Sequence, residues 1–479
     1  VAGIIAAAGA ADKGAKVIAL DRATGFGMTN NVNTTGAWHI ESSEQMKYED
    51  HLTKQEAFER IMAGTNYQCN AKIVRSLIEK SGRAIDIVIN SGMPLFYPFS
   101  MNPAKDDYLS RGGHVYLAEG TDRIPFLENI VNSRENIECH WSTEVTNLVT
   151  ENDGVCGVLA KDENGTLLIK AKSVVVCTGG FLQNKEMVAQ YYGGAQLVPQ
   201  GNIYNDGAGI QLTQAAGAQM GKNFSISMNE MGAANFKARP TFSWAPGRNT
   251  NVNFYLPNFG LILLDKNGER FMNEQRMCEA TMYSGEQALR ESVYYTVVDQ
   301  DEMDRIASTP VMDFLGEGAK ANMGPALLAG FEGVVLTNIY DDFETAVKEG
   351  WAFKADTLEE LAEHFNAPKL KESIEAYNHA CDTGIDEYMY TPADYLVPVK
   401  NGPFYMIEFN VGAWLTLGGI KCDGNCAALR SDNSVIPGLF VAGADADLWS
   451  VPYFQGGSAL GFCYASGLVA GEAAAENAL

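Results

Sequence analysis

Three glycine-rich pieces near the C-terminus carry the chemistry of this chain. They are Leu417-Gly418-Gly419-Ile420, then Ile436-Pro437-Gly438-Leu439-Phe440-Val441-Ala442-Gly443-Ala444, then Gly456-Gly457-Ser458-Ala459-Leu460. In turn they read as a β-hairpin, a buried strand ending in Ala-Gly, and a Gly-Gly turn opening an apolar helix. A helix that starts at Ser458, Ala459 and Leu460 aims free backbone N–H groups, and the positive end of its dipole, at whatever lies before it. Such an end suits the negative charge that a flavin ring gains on reduction.

The start of the chain supplies the other half of such a site. Residues 2–14 read as a small-residue helix closed by Gly14, and Lys16 to Leu20 read as a strand ending at Asp21. This is a β-α-β unit whose first strand is expected before Val1. In the dinucleotide turn G-x-G-x-x-G the last glycine lets helix and strand pack closely, and an acidic residue follows about 20 positions later. Gly3 fits that last position, with Asp21 eighteen residues on. Taken alone, the same helix would also serve as a tightly packed core helix. Residues 25–40, from Gly25 to Ile40, are loop-like and dense in hydroxyl and amide groups. Such a loop can wrap a pyrophosphate and the edge of a flavin.

The elements that position these pieces follow from patterning. Residues 54–92 look helical. Residues 93–113 look like an irregular excursion over the site, with Tyr97 a candidate for its wall. A meander is expected from Ile137–Trp141, Glu144–Thr150, Val155–Lys161, Thr166–Ala171 and Ser173–Cys177, with Asp153-Gly154 and Asn164-Gly165 as hairpin turns. Asp206-Gly207 opens an amphipathic helix running to Gly217. From about 222 to 360, aromatic loops, a hairpin at Asp265-Lys266-Asn267-Gly268 and acidic helices suggest an inserted domain. Residues 357–380 read as helical and returning to the first domain. The expected division is therefore 1–222 and 357–479 for a cofactor-binding domain, and 223–356 for a cap.

With 479 residues, 46% hydrophobic and 20% charged, the chain has the composition of a globular enzyme of two or three domains. A formal charge of −24 argues against nucleic acid, which needs clustered Lys and Arg. No run of 18 apolar residues occurs, so no membrane span is expected. Any targeting segment would lie outside the sequence, leaving cytoplasmic or exported locations open. Nine scattered cysteines and six histidines form no ligand cluster, so no metal is expected. No haem or iron–sulfur spacing appears, so electrons are expected from, or pass to, an external partner.

At this point the residues carry a family resemblance. The chain resembles the flavoprotein superfamily of fumarate reductases, urocanate reductases and 3-ketosteroid dehydrogenases. The matching pieces are the Gly3 helix with Asp21, the stretch Ser142 to Leu148, Cys177-Thr178-Gly179-Gly180-Phe181, Asp206-Gly207, the stretch Gly268 to Glu274, Leu417-Gly418-Gly419 and the C-terminal block. They cover nearly the whole chain in order. The resemblance implies an α/β fold: a Rossmann-like FAD-binding domain with a β-meander, plus an inserted α+β capping domain. It implies non-covalent FAD, although His39 is close to the positions used by covalent members.

Residue by residue, the resemblance places Gly3 at the pyrophosphate and Asp21, with Arg22 beside it, at the adenosine ribose. Thr29, Asn30, Thr34, Thr35 and Gly36 would line the pyrophosphate and flavin edge. Val145 would meet adenine, and Thr178 and Gly179 would support the dinucleotide. Asp206 would sit near the flavin. Gly443 and Asp445 would approach the ribityl chain, and Ser458, Ala459 and Leu460 the pyrimidine edge of the ring. Family members often carry Glu or Asn where this chain has Ala444.

The shared reaction moves a hydride between flavin N5 and a carbon of an activated C=C or CH–CH bond. Fumarate-type members clamp carboxylates with arginines, whose positions here are Cys278 and Phe454, and the expected histidine is missing. A dicarboxylate would therefore be a poorly compensated buried anion. The ketosteroid type places a Tyr four residues before a Gly, to hold a ketone oxygen, and Tyr453 and Gly457 match that spacing. Tyr453 would also serve as an ordinary packed aromatic. Arg276, Cys278 and Tyr283 are candidates for acid or base.

Three functions follow. The first is an FAD-dependent oxidoreductase on the C=C or CH–CH bond of a conjugated, largely apolar carbonyl compound, enone, steroid-like or aryl. The second is a reductase of an unsaturated monocarboxylate such as urocanate or a cinnamate-like acid, clamped by Arg239, Arg248 or Arg276. The third is a non-catalytic flavin electron-transfer subunit.

Overall fold

The computed structural model describes residues 1–34, 36–49, 51–99, 111–118, 120–222, 224–227, 233–235, 237, 260–275, 287–314, 332–448, 453 and 457–479. Its centre is a pair of helices from opposite ends of the chain, Ala2–Asp12 and Ser458–Ala478. Both are built of alanine and glycine with buried flanks. A Cβ on Gly471 would lie 2.1 Å from the Ala6 carbonyl oxygen, and one on Gly467 2.4 Å from that of Ala2. Only glycine permits this backbone-to-backbone approach.

Around this pair the strands form short sheets. Val17–Leu20 pairs in parallel with Ile137–His140, and Val174–Val176 pairs in parallel with Val435–Val441. Glu144–Glu151, Gly154–Asp162 and Gly165–Lys170 form an antiparallel meander. The meander is thus three strands, not the five expected. Ile137–His140 and Val174–Val176 belong to the parallel pairs instead. The continuous β-branched run Val174-Val175-Val176 is the pattern of a strand covered on both faces. At the Asp153-Gly154 turn, Asn152 and Asp153 adopt φ of 52° and 61°, as a tight hairpin requires.

The expected helices form as Lys54–Gly64 and Ala71–Asn90, each with a side-chain N-cap, Thr53 and Asn70.

A second, six-stranded sheet gathers Leu197–Pro199, Ala233–Ala234, Leu263–Leu264, Val293–Val298, Ala352–Ala355 and Phe404–Ala413. Phe404–Ala413 is its hub, bonded to Val293–Val298 and Leu197–Pro199 along one side and to Ala352–Ala355 and Ala233–Ala234 along the other. The helices Leu358–Phe365 and Leu370–Thr383 pack Leu361, Leu370, Ile374 and Tyr377 against Ile262, Tyr295, Val297 and Phe404 of this sheet. The helices of residues 358–383 therefore share a core with Ile262, Tyr295 and Val297, whereas Tyr405, Ile407, Phe409, Val411 and Ala413 face the core that also holds Ala2 and Trp38. Sequence periodicity shows that a helix has an apolar face but not which sheet receives it.

Candidate functional site

Two helix N-termini open onto the middle of the molecule, offset along the pair because Ala2 packs beside Gly467 rather than beside Ser458. In neither does the N-cap residue's own side chain cap the end. Ala2–Asp12 starts at Val1, and Ser458–Ala478 starts at Gly457 in a left-handed conformation. Ser458, Ala459 and Leu460 are buried. No acidic residue lies in either first turn. A buried, uncapped helix end demands an acceptor. Lys54–Gly64, Ala71–Asn90, Lys185–Tyr191, Gln300–Ser308 and Leu358–Phe365 all bring their own.

The strand Gly36–Trp38 closes one side of this centre. The Trp38 N–H donates to the Gly457 carbonyl at 3.0 Å. A Cβ on Gly461 would lie 1.9 Å from the Trp38 oxygen, and one on Gly36 2.1 Å from the His114 oxygen. The loop behind that strand and the helix from the far end of the chain are therefore in backbone contact. Gly443 joins them, since a Cβ there would stand 3.0 Å from that of Ala2. Its N–H donates to Ser466 Oγ at 3.0 Å. Gly3 is looser than expected, because its Cβ would meet Cys177 at an ordinary 3.6 Å. Close helix–helix packing, not helix–strand packing, is what demands glycine here.

The opposite end of the site collects Asp21, Arg22, Val145 and Asp206. Asp21 is exposed and its Oδ1 accepts the Ala23 N–H at 2.8 Å. Arg22 donates to Asp206 at 2.8 Å and stacks over the Tyr204 ring at 4.9 Å. Burial alone would raise the Asp206 carboxyl, but Arg22 and the Ala208 N–H hold it below the usual range. Val145 is half-buried in the strand beside Ala160. Asp206 thus pairs with Arg22, the residue next to Asp21.

Between the two ends lies the turn Cys177 to Gly180. Asp445 is fully buried, and its carboxylate accepts from the Thr178 N–H, from Thr178 Oγ1 at 2.9 Å, and from the Gly179 and Gly180 N–H groups at 3.3 and 2.8 Å. Burial pushes this carboxyl up against the pull of those donors. Asp445 therefore holds the turn that carries Thr178 and Gly179, and its oxygens are occupied there rather than presented to a ribityl chain.

In the 29–36 loop, Thr29 caps its own short turn by accepting the Asn31 N–H at 3.3 Å. Thr34 Oγ1 donates to the Asn31 carbonyl at 3.0 Å. Asn30 turns toward residues 202 and 414. Thr35 lies outside the described residues. Asn202 and Thr416, which accepts the Phe181 N–H at 3.1 Å, were not anticipated. The polar run Asn202 to Gly207 signals only a turn, and nothing local says what it crosses.

The buried histidines of this region are neutral. His39 Nδ1 donates to the Ser81 carbonyl at 2.9 Å, and its ring stacks on Tyr464 at 5.7 Å. His114 Nδ1 donates to the Gly112 carbonyl at 2.9 Å, and its Nε2 accepts from Ser42 Oγ at 2.7 Å. Burial lowers both, His39 well below its ordinary value and His114 to about 4.

Tyr453 is buried, and its hydroxyl accepts the Ala459 N–H at 3.5 Å. The expected association of Tyr453 with the C-terminal helix end is thus a contact at the second residue of that helix. Tyr97 is buried, and its hydroxyl donates to the Arg111 carbonyl at 3.0 Å. The motif Gly268 to Glu274 forms a brace: buried Arg270 donates to Glu274 at 2.6 Å and to Asp386 at 2.8 Å. Arg276, Cys278 and Tyr283 lie outside the described residues, as do Arg239, Arg248, Phe454 and the aromatics Phe236, Phe242, Trp244, Phe254 and Tyr255. Among the described residues no group of His, Cys, Asp and Glu could hold a metal ion, and no helix is long and apolar enough to cross a membrane.

The donor set fits FAD. The N-terminal end of the first helix suits a pyrophosphate, exposed Asp21 a ribose, and the end of the last helix a flavin ring that becomes anionic. Comparison with known proteins agrees. A family model described as FAD binding domain matches residues 1–460. The vinyl phenol reductase of Lactiplantibacillus plantarum is 26% identical over 99% of this chain and 94% of its own length. The urocanate reductase of Eggerthella lenta is 25% identical over 100% of this chain and 73% of its own. Among solved structures, 3-ketosteroid delta1-dehydrogenase from Sterolibacterium denitrificans superposes with a TM-score of 0.71 at 19% identity, covering 99% of this chain and 98% of that one. An open flavocytochrome c3 fumarate reductase gives 0.66 at 21% identity, covering 100% and 77%. At those identities the two structures establish the fold alone. The chain belongs to the FAD binding domain family and is an FAD-dependent oxidoreductase acting on CH–CH groups.

Proposed function

We propose that this protein reduces a C=C bond conjugated to an oxygen that can take negative charge, in a small and largely apolar substrate such as an enone or a hydroxystyrene. FAD, when bound and reduced, supplies the hydride. The chain's own part is to hold that oxygen and to deliver a proton. The observation that carries this reading is the Tyr453 hydroxyl at the N-terminus of Ser458–Ala478, where it accepts the Ala459 N–H at 3.5 Å and keeps its own proton to donate. A neutral hydroxyl donor that accepts from a helix N-terminus is polarised to stabilise a developing enolate or phenolate without the cost of a buried counter-charge. The arginine positions that would clamp a dicarboxylate are Cys278 and Phe454. A relative named vinyl phenol reductase, aligned over nearly the full length of both chains, supports the aryl form of the substrate.

In that form the steps balance. A proton adds to the terminal vinyl carbon as the phenolate electrons move through the ring, and hydride then adds at the benzylic carbon, leaving an ethyl group. The Tyr453 hydroxyl and the Gly457 N–H would hold the oxygen throughout. Arg276, Cys278 and Tyr283 are the candidates for the proton. Gly3, Asp21, Arg22, Val145 and the 29–36 loop would hold the dinucleotide, with electrons arriving from an external donor.

The test is anaerobic reoxidation of the reduced protein by 4-vinylphenol, cyclohexenone, urocanate and fumarate. Oxidation is expected with the first two. Replacing Tyr453 by Phe is expected to slow it about 10²–10³-fold with FAD content unchanged. Faster oxidation by urocanate or fumarate than by either apolar substrate would overturn the proposal. Oxidation by none of the four would favour a non-catalytic subunit.

A further inference from the structure

Residues 197–207 run from the six-stranded sheet across the pieces assigned to FAD. The segment starts as the strand Leu197–Pro199, paired with Val411–Ala413, and the Gln200 N–H donates to the Ala413 carbonyl at 2.8 Å. It then meets the loop that opens the dinucleotide site. Asn30 Oδ1 accepts the Asn202 N–H at 2.6 Å, and Asn30 Nδ2 donates to the Trp414 carbonyl at 2.9 Å. In return, Asn202 Nδ2 donates to the Met28 carbonyl at 2.6 Å, while Asn202 Oδ1 accepts the Tyr204 N–H at 3.0 Å. Further on, Gly207 N–H donates to the Gly180 carbonyl at 2.9 Å and Gln183 N–H to the Asn205 carbonyl at 2.8 Å. Gly201 is the residue that lets this happen. A Cβ there would stand 1.9 Å from the Trp414 oxygen and 3.0 Å from Asn30 Oδ1.

We propose that Asn30 and Asn202 are positioning residues: a reciprocal amide staple that holds the 28–34 loop against FAD and ties it to the six-stranded sheet. Each side chain uses both its donor and its acceptor on backbone, so neither needs to touch the cofactor to act on it. Trp414 is the residue at which the chain leaves Phe404–Ala413, and Gln200 the one at which it leaves Leu197–Pro199. The loop is thus fixed to both strand exits of the sheet that carries the cap. Opening the loop to release FAD requires breaking the staple, so the staple sets how long FAD stays bound. The inference rests on FAD lying against the 29–36 loop.

The experiment measures FAD release from the holoprotein without substrate, so an error in the substrate reading does not touch it. Release is followed by the rise in flavin fluorescence on dilution, and amide exchange is followed over residues 26–34. Asn202→Ala and Asn30→Ala each lose two hydrogen bonds and are expected to release FAD about tenfold faster, with faster exchange in that loop. Asn378→Ala is the control: its side chain likewise donates to and accepts from the backbone of Val399, at 2.6 and 2.8 Å, but within the cap-side core. It is expected to lower the melting temperature without changing FAD release. If Asn202→Ala does not fold, Asn202→Asp keeps the Tyr204 turn, loses only the Met28 donor, and is expected to release FAD about threefold to fivefold faster. Release within about twofold of the parent in the folded variants would overturn the staple. So would an Asn378→Ala control that releases FAD as fast as they do.

Discussion

Acidification is expected to loosen the strand Gly36–Trp38 through His114, by an amount the structure sets. His114 sits on the strand Gly113–Tyr116, which pairs with Gly36–Trp38, and it faces His39 at 5.9 Å between ring centres. Its Nδ1–H is committed to the Gly112 carbonyl and its Nε2 to Ser42. Burial lowers its affinity for a proton and outweighs the Gly112 carbonyl, Glu44 and the Ala37 backbone, which pull it up, leaving the folded value at about 4. In the unfolded chain the imidazole takes a proton near pH 6.5. The folded value is the lower one, so the unfolded state binds more protons below that pH and stability falls as pH falls. The contribution is near zero at about pH 7.5, about −1.4 kcal/mol at about pH 5.5, and about −2.5 kcal/mol at about pH 4.5. His39 acts in the same direction. The assay is urea denaturation at fixed ionic strength across that range, for the parent and for His114→Asn. The parent should lose stability steadily below about pH 6.5, and the variant should show a slope shallower by about the amount above. A variant with the parent's slope would refute the assignment of a neutral, buried His114.

Three further outcomes follow from the same geometry. Gly471→Ala places a methyl group 2.1 Å from the Ala6 oxygen, so the two central helices must part, at about 1–3 kcal/mol of overpacking measured by denaturation. Asp445→Ala leaves three N–H groups and one hydroxyl of the Thr178–Gly180 turn without their buried acceptor, at about 1–3 kcal/mol each. Purified Asp445→Ala protein is therefore expected to be colourless and aggregation-prone, and yellow, soluble protein would contradict the reading. Denaturation of the parent in acid should leave all flavin in the supernatant, since His39 is held by Ser81 and Tyr464; flavin remaining on the protein would show a covalent link.

The sequence alone determined the local parts. A run of small residues closed by Gly14 marked the first central helix, Asp153-Gly154 marked its hairpin, and the Gly-Gly before Ser458 marked the start of the apolar last helix. These features are local because turn chemistry, caps and helix faces depend on neighbours a few residues away. Tertiary structure decided what no window could contain. It turned Asp445 onto the 178–180 turn and paired Asp206 with Arg22 across 184 positions. It also drew Phe404–Ala413 into the cap-side sheet. A carboxylate's partner is whichever donor the fold brings within about 3 Å, and a strand's neighbour is whichever edge shares its core. Residue type announces the need for a partner, and only the folded chain supplies one.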